Sequence, residues 1–261
     1  MPHSQEKCSI SFTPLPDGLL NLAGTLYQKN KPTVVILSLT DIPDKTKQTA
    51  ACWLHPEEHL QLDNFKYEKR HREWLGGRIC AKQGLRIFLQ QRGNPSRIPE
   101  YQQCRISAEE SGRPYFSRLK GVESPFPELS ISHSKGCAAS LVSQSHCGID
   151  IQYPSESLQK VRERFITNEE ERLLHNSLPS QSLLSRLVLT WAGKEAVKKT
   201  FSSSRMLGFH EIIVTQILQK TANDAIFYFS RTDIPQQTLP VAAGLLDNGY
   251  SLALCCHPLS P

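Results

Sequence analysis

Helical periodicity occurs twice in this chain, each time ahead of several short runs with strand character, and that alternation confines it to a mixed α+β architecture. From Phe65 to Gln90, the residues Phe65, Trp74, Leu75, Ile79, Leu85 and Phe88 recur at helical spacing among long basic side chains. Gly76-Gly77 and Gly84 interrupt the pattern, so the segment reads as one or two helices. The second pattern spans about Ser182 to Lys199, where Leu183, Leu184, Leu187, Val188, Trp191, Ala192, Ala196 and Val197 make an apolar face. Ahead of it, Thr167-Asn168-Glu169-Glu170 has the capping-box form, in which the Thr hydroxyl and the Glu carboxylate satisfy backbone donors at a helix start.

Val34–Leu39, in a region rich in proline and turn formers, reads as one strand in the first part of the chain, and Glu128–Ser132, Cys137–Ser143 and Gly148–Gln152, each bounded by Gly, Ser or Pro, read as three more. Glu211–Leu218, Ala225–Ser230 and Tyr250–Cys256 read as strands in the last part. Each half is therefore helix followed by strands, a coarse pseudo-repeat of about 110–130 residues, although no residue-level repeat is visible. The expectation is two similar α+β lobes with the active site at their interface. The first, residues 1–150, holds the basic helix, a Ser-His-Ser loop and the strand of Asp150; the second, residues 151–261, holds the helix of Trp191 and Lys199. A seam near Asp150 or Ile151 is where a ligand is expected.

With 261 residues the chain is long enough to bury a sizeable core. Its mean hydropathy of −0.37 is ordinary for a globular protein, and no apolar run approaches the ~18 residues of a membrane span. The start of the chain mixes Glu6, Lys7 and Asp17 with three prolines, which does not read as a secretory signal, so a cytoplasmic protein is expected. Eight cysteines are scattered without a C-x-x-C pair, which points to reduced, mostly buried thiols rather than zinc or a disulfide framework. The net charge of +5 suits an anionic ligand or an acidic partner and is too mild to imply nucleic acid. Locally the balance is sharper: Lys66, Lys69, Arg70, Arg72, Arg78, Lys82 and Arg86 face only Glu68 and Glu73.

Three constellations could carry chemistry. Gly148-Ile149-Asp150-Ile151-Gln152 is strand-like, and alternation places Asp150 and Gln152 on one side, opposite Ile149 and Ile151. An acid there reads either as an edge residue facing solvent or as a functional group. Trp191-Ala192-Gly193-Lys194-Glu195-Ala196-Val197-Lys198-Lys199 sets Glu195 and Lys199 four apart on one helical face, one turn beyond Trp191. A surface ion pair is the plain reading, but a bulky aromatic sharing the face with the charges favours a site. Ser130-Ile131-Ser132-His133-Ser134-Lys135-Gly136 lies between two strands, as a polar turn or a functional loop. A hydrolase triad of Ser132, His133 and Asp150 is disfavoured because adjacent Ser and His side chains seldom reach each other and no G-x-S-x-G is present. Phosphate-loop and dinucleotide fingerprints are absent.

In their chain order these pieces resemble the Sfp-type 4′-phosphopantetheinyl transferases. Arg72-Glu73-Trp74-Leu75-Gly76-Gly77-Arg78 is similar to the family's basic helix ending in a small residue-Gly-Arg run, and Gly112-Arg113-Pro114 to its Gly-Lys/Arg-Pro block. Leu129-Ser130-Ile131-Ser132-His133-Ser134 resembles the Asn-x-Ser-His-Ser block, while Gly148-Ile149-Asp150-Ile151 and Trp191-x-x-Lys194-Glu195-Ala196-x-x-Lys199 look like the two signatures. The resemblance implies transfer of the phosphopantetheine arm of coenzyme A to a serine of an apo carrier protein, with Mg²⁺ as cofactor and adenosine 3′,5′-bisphosphate as the second product.

It further implies Asp150, Glu195 and Lys199 as catalytic residues, with Glu195 taking the serine proton. Asp150, Glu195 and Gln152 would be metal ligands, and His133, Ser132, Arg113, Lys194, Arg72 and Arg78 would contact coenzyme A. A monomer would suffice to build the site, with neither membrane nor nucleic acid as a partner. Two departures stand out. Gln152 replaces the second acid of the family's Asp-x-Glu, and Glu57-Glu58-His59-Leu60-Gln61 stands where many members carry a basic residue for the 3′-phosphate. A non-catalytic coenzyme A- or carrier-binding module is the alternative, with Gln152 as its main support.

Overall fold

Both helical patterns become long helices in the structure, a computed structural model that describes residues 10–28, 31–43, 46–93, 98–122, 124–201 and 207–257. In chain order its elements are α1 (Asp17–Leu26), β1 (Thr33–Ser38), α2 (Thr46–Trp53), α3 (Pro56–Asp63), α4 (Glu68–Gln90), β2 (Cys104–Ala108), β3 (Pro114–Leu119), β4 (Glu128–Ser134), β5 (Cys137–Ser143) and β6 (His146–Gln152). There follow α5 (Ser157–Lys160), α6 (Asn168–Ser177), α7 (Leu183–Thr200), β7 (Ile212–Gln219), β8 (Asp224–Arg231), β9 (Ile234–Leu245) and β10 (Ser251–His257). The α+β class is as expected.

The chain divides into two units, Met1–Leu15 with Pro32–Gln144, and Pro16–Lys31 with Ser145–Pro261. This corrects the expected division at 150 in two places. The strand of Asp150 opens the second unit rather than closing the first, and α1 also belongs there, because Tyr27 donates its hydroxyl to the carbonyls of Pro240 (2.9 Å) and Leu254 (2.8 Å).

In the N-terminal unit the sheets run β1-β5-β4 and β2-β3, all antiparallel. The expected one or two helices over Phe65–Gln90 form a single one, and the glycines that argued against continuity explain its packing. A Cβ on Gly76 would run into Leu39 and come within 3.4 Å of Ala138, so glycine lets α4 lie directly on the sheet. Leu75, Ile79 and Leu85 are then fully buried with Leu37, Trp53 and Phe88, each worth ~1.5–3 kcal/mol by removal from water.

In the C-terminal unit a five-stranded antiparallel sheet runs β6-β10-β9-β8-β7. The three-stranded β1-β5-β4 and the two-stranded β3-β2 correspond to the β6-β10-β9 and β8-β7 stretches of that sheet, so the pseudo-repeat extends to strand order within each stretch, although β4 and β3 belong to separate sheets where β9 and β8 pair. A residue-level repeat also exists. In the first unit His55 and Glu58 form a capping box at α3, and Glu58 then accepts from Lys82 of α4 and from the Ile106 amide. In the second, Thr167 and Glu170 cap α6, and Glu170 meets Lys194 of α7 (2.7 Å) and the Val214 amide (2.8 Å). In each case the Lys lies 24 positions beyond the Glu. At the same offset Gln83 and Ile87 stand where Glu195 and Lys199 stand, so the acid and second lysine are found in one unit only.

Cys80, Cys104 and Cys255 are buried thiols, burial pushing Cys104 up to about 12 and Cys255 to about 11. Cys52 departs from the expected reduced state and is disulfide-bonded. Among the described residues no helix is long and apolar enough to cross a membrane.

Candidate active site

Gly148 sets the geometry of the C-terminal unit's polar cluster. A Cβ there would run into the Ala196 carbonyl oxygen and come within 2.7 Å of Thr200 Oγ1, so only glycine allows β6 and α7 to meet this closely. Strand alternation aims Asp150 at the same helix. Its Oδ1 accepts from Lys199 Nζ at 2.8 Å, and Lys199 also donates to the Ile149 carbonyl at 2.9 Å. Asp150 is nearly buried while Ile149 and Ile151 are fully buried on the opposite face, which removes the solvent-facing edge-strand reading.

Glu195 lies one turn before Lys199 on α7 and pairs with Lys198, Nζ to Oε1 at 2.8 Å. The four-apart Glu195–Lys199 pairing considered from the sequence is thus replaced by two separate pairs, Asp150–Lys199 and Glu195–Lys198. Trp191 turns into an aromatic cluster, 5.1 Å from Phe165 and 4.5 Å from Phe209 between ring centroids. Gln152 shares the face of Asp150 and donates its amide nitrogen to the Tyr153 carbonyl at 3.2 Å, so its amide oxygen is the end that a cation would take. Asp150, Glu195 and Gln152 offer oxygen donors only, the chemistry of a hard cation that completes its shell with phosphate and water. Among the described residues no group of three or more His, Cys, Asp or Glu side chains is placed to hold a metal by itself.

Lys194 does not fit its expected role. Fully buried, its ammonium donates to the Phe165 carbonyl (2.6 Å) and the Phe209 carbonyl (3.3 Å) and pairs with Glu170, which leaves no face toward a phosphate. Burial lowers its pKa, and Glu170 partly offsets that. It is a structural lysine, as is Lys82 in the other unit.

In the N-terminal unit three of the sequence blocks converge on a cavity of about 340 Å³, lined among others by Arg70, Trp74, Arg78, Gly112 and His133. The Ser-His-Ser segment is part of β4, not a loop, and this decides which side chains meet. Ile131 and His133 point toward α4, whereas Ser132 lies on the other face. His133 sits between Arg70 (Nη1 to Nε2, 3.1 Å) and Glu73 (Oε2 to Nδ1, 3.8 Å). Arg78 stacks over Trp74 at 4.4 Å and approaches Glu58 at 3.5 Å, its pKa lowered by burial. Arg72 Nη2 donates to the carbonyls of Leu39 (2.8 Å) and Ile42 (2.7 Å), clamping the turn after β1. Arg113 pairs with Glu128. Arg70 was visible in the sequence only as a member of the basic run, Glu73 as an acid opposing it within the Arg72–Arg78 block, and Lys198 only as an unmarked position; an i,i+3 search from Glu195 would have found the last.

Residues 146–255 match the family model of the 4′-phosphopantetheinyl transferase superfamily. The matched span covers most of the C-terminal unit, and β6 and α7, with Asp150, Glu195 and Lys199, lie inside it. Among solved structures, a holo-(acyl-carrier-protein) synthase from Bacillus anthracis str. Ames in complex with CoA (3′,5′-ADP) is similar at 20% identity, over 43% of this chain and 92% of that one, with a TM-score of 0.35. A holo-ACP synthase from Plasmodium yoelii is similar at 16% identity, over 44% of this chain and 94% of that one, also with a TM-score of 0.35. The comparison with curated protein sequences returns no match.

Proposed function

We propose that this protein transfers the 4′-phosphopantetheine group of coenzyme A to a serine of an apo carrier protein, releasing adenosine 3′,5′-bisphosphate. The observation that carries this reading is the Asp150–Lys199 contact across β6 and α7, with Glu195 one turn away, within the segment that matches the superfamily. Asp150, Glu195 and the Gln152 amide would hold Mg²⁺, which when bound supplies positive charge against the pyrophosphate oxygens.

The chain's own groups do the rest. Glu195 accepts the proton of the serine hydroxyl, whose oxygen attacks the phosphorus bearing the pantetheine arm. The bond from that phosphorus to the bridging oxygen breaks, and the bridging oxygen leaves with the nucleotide. Lys199, held by Asp150 and the Ile149 carbonyl, faces the phosphates as a fixed positive charge whose orientation costs nothing at the moment of reaction. His133 and the Arg70 and Arg78 guanidiniums give the 340 Å³ cavity donors for an anionic nucleotide end, with Trp74 as an aromatic wall. Arg113 and Ser132 belong to this reading through the resemblance. Lys194 does not.

Incubation with coenzyme A, Mg²⁺ and a panel of apo carrier proteins, from fatty-acid, polyketide and peptide synthesis, tests the reading by intact mass. The expected result is a gain of one phosphopantetheine group on at least one carrier, absent with Asp150→Ala. Coenzyme A binding without any mass gain would instead identify a non-catalytic module, the alternative that the neutral Gln152 supports. A cytoplasmic monomer is part of the same proposal.

A further inference from the structure

The second acid of the cluster has a lysine partner that the sequence motif does not mark. Lys198 Nζ meets Glu195 Oε1 at 2.8 Å, with side-chain exposures of only 12% for Lys198 and 20% for Glu195. The ammonium also stands 4.3 Å from the centroid of Phe209, whose ring is in turn packed on Trp191. An exposed i,i+3 pair swings freely and contributes little. Here the ring attracts the cation from below and shields it from water, so the ammonium is fixed on the carboxylate. With Lys199 on Asp150, each acid then has its own lysine, and Gln152 adds no charge. Those five side chains sum to zero net charge.

We infer that Lys198 is a positioning residue that holds Glu195 back from free divalent cation, so that cation binds effectively only together with the phosphates of coenzyme A. The inference rests on the proposed role of Glu195 as a metal carboxylate. A cation arriving alone meets a neutral cluster and must displace an ammonium from Glu195. Arriving with a pyrophosphate, it brings the negative charge that the cluster lacks, and the lysines gain a second set of acceptors. The same clamp keeps the Glu195 side chain in one rotamer with Oε1 engaged, which leaves the direction of Oε2 defined.

Mn²⁺ binding to the whole chain without coenzyme A, read from the free-ion signal in electron paramagnetic resonance, tests this without relying on turnover. Lys198→Met should bind Mn²⁺ roughly three- to tenfold more tightly than the unaltered protein, and Lys198→Arg should stay within about twofold of it. Lys198→Gln, which keeps part of the stem over Phe209, should move in the same direction as Lys198→Met, and circular dichroism establishes that each variant is folded. A role confined to stability would lower the unfolding midpoint and leave Mn²⁺ affinity unchanged or weaker, and that outcome overturns the inference. Glu195→Gln separates the two levels. If it weakens Mn²⁺ binding while the Lys198 variants do nothing, only the role of Lys198 falls. If, combined with Lys198→Met, it removes none of the gain in Mn²⁺ affinity, the metal reading of Glu195 falls and takes this inference with it.

Discussion

Glu170→Gln is nearly isosteric and, placed at a helix start, would be a mild change by the capping rule alone; its surroundings make it severe. The carboxylate is 1% exposed and serves three donors: the Thr167 amide (2.8 Å), the Val214 amide (2.8 Å) and Lys194 Nζ (2.7 Å). A glutamine keeps one acceptor oxygen and turns an NH₂ toward a second donor, so at least one buried bond is lost and Lys194 retains an ammonium with no counter-charge. Stranding one partner of a buried pair costs ~3–5 kcal/mol, which for a chain of this size is a fall in melting temperature of roughly 6–10 °C. Adding Lys194→Met should restore part of the loss, since the buried charge is then gone.

The pH dependence has a defined sign. Burial already lowers the Lys194 pKa against the pull of Glu170, and removing Glu170 lowers it further. Between that value and the ~10.4 of an unfolded lysine, the unfolded chain holds a proton that the folded chain lacks, so stability of the variant rises with pH. The deficit relative to the unaltered protein should therefore shrink on going from neutral to alkaline solution. Calorimetric unfolding across that range is the assay. A melting temperature within about 2 °C of the unaltered protein at neutral pH would refute the argument, because no buried charge pair broken on one side is that cheap.

Gly148→Ala should lower stability by ~1–3 kcal/mol through overpacking and reduce transfer more than its stability loss explains, since pushing β6 off α7 separates Asp150 from Lys199; full activity in a stable variant would contradict this. His133→Ala should weaken coenzyme A binding by ~1.5–3 kcal/mol, about 10- to 150-fold, measured by calorimetry; an equal loss for dephospho-coenzyme A would place His133 away from the 3′-phosphate. Gln152→Glu adds an anionic oxygen beside Asp150, and the Mg²⁺ concentration for half-maximal transfer should fall. An unchanged Mg²⁺ titration in an active variant would show that Gln152 does not reach the metal.

The sequence by itself determined what depends on near neighbours along the chain: the helical periods, the Thr167–Glu170 capping box, seven strands within two residues of their ends, and the motif positions of Asp150, Glu195 and Lys199. β9, for which the sequence raised no strand expectation, carries Pro235 and Pro240; β10 pairs only with Val241–Leu245, so neither proline lies in that ladder. The burial of side chains, the allegiance of α1 to the second unit and the paired Glu–Lys repeat were decided by contacts between residues far apart in sequence. Lys194, Lys198 and Lys199 make the point most directly. Six residues contain all three, and composition treats them alike. A rotation of about 100° per helical residue sends Lys194 into the core against Glu170, Lys198 onto Glu195 and Phe209, and Lys199 onto Asp150. Which lysine is buried in the core and which sits at the polar cluster depends on what packs against each side of α7, and only the folded chain supplies that.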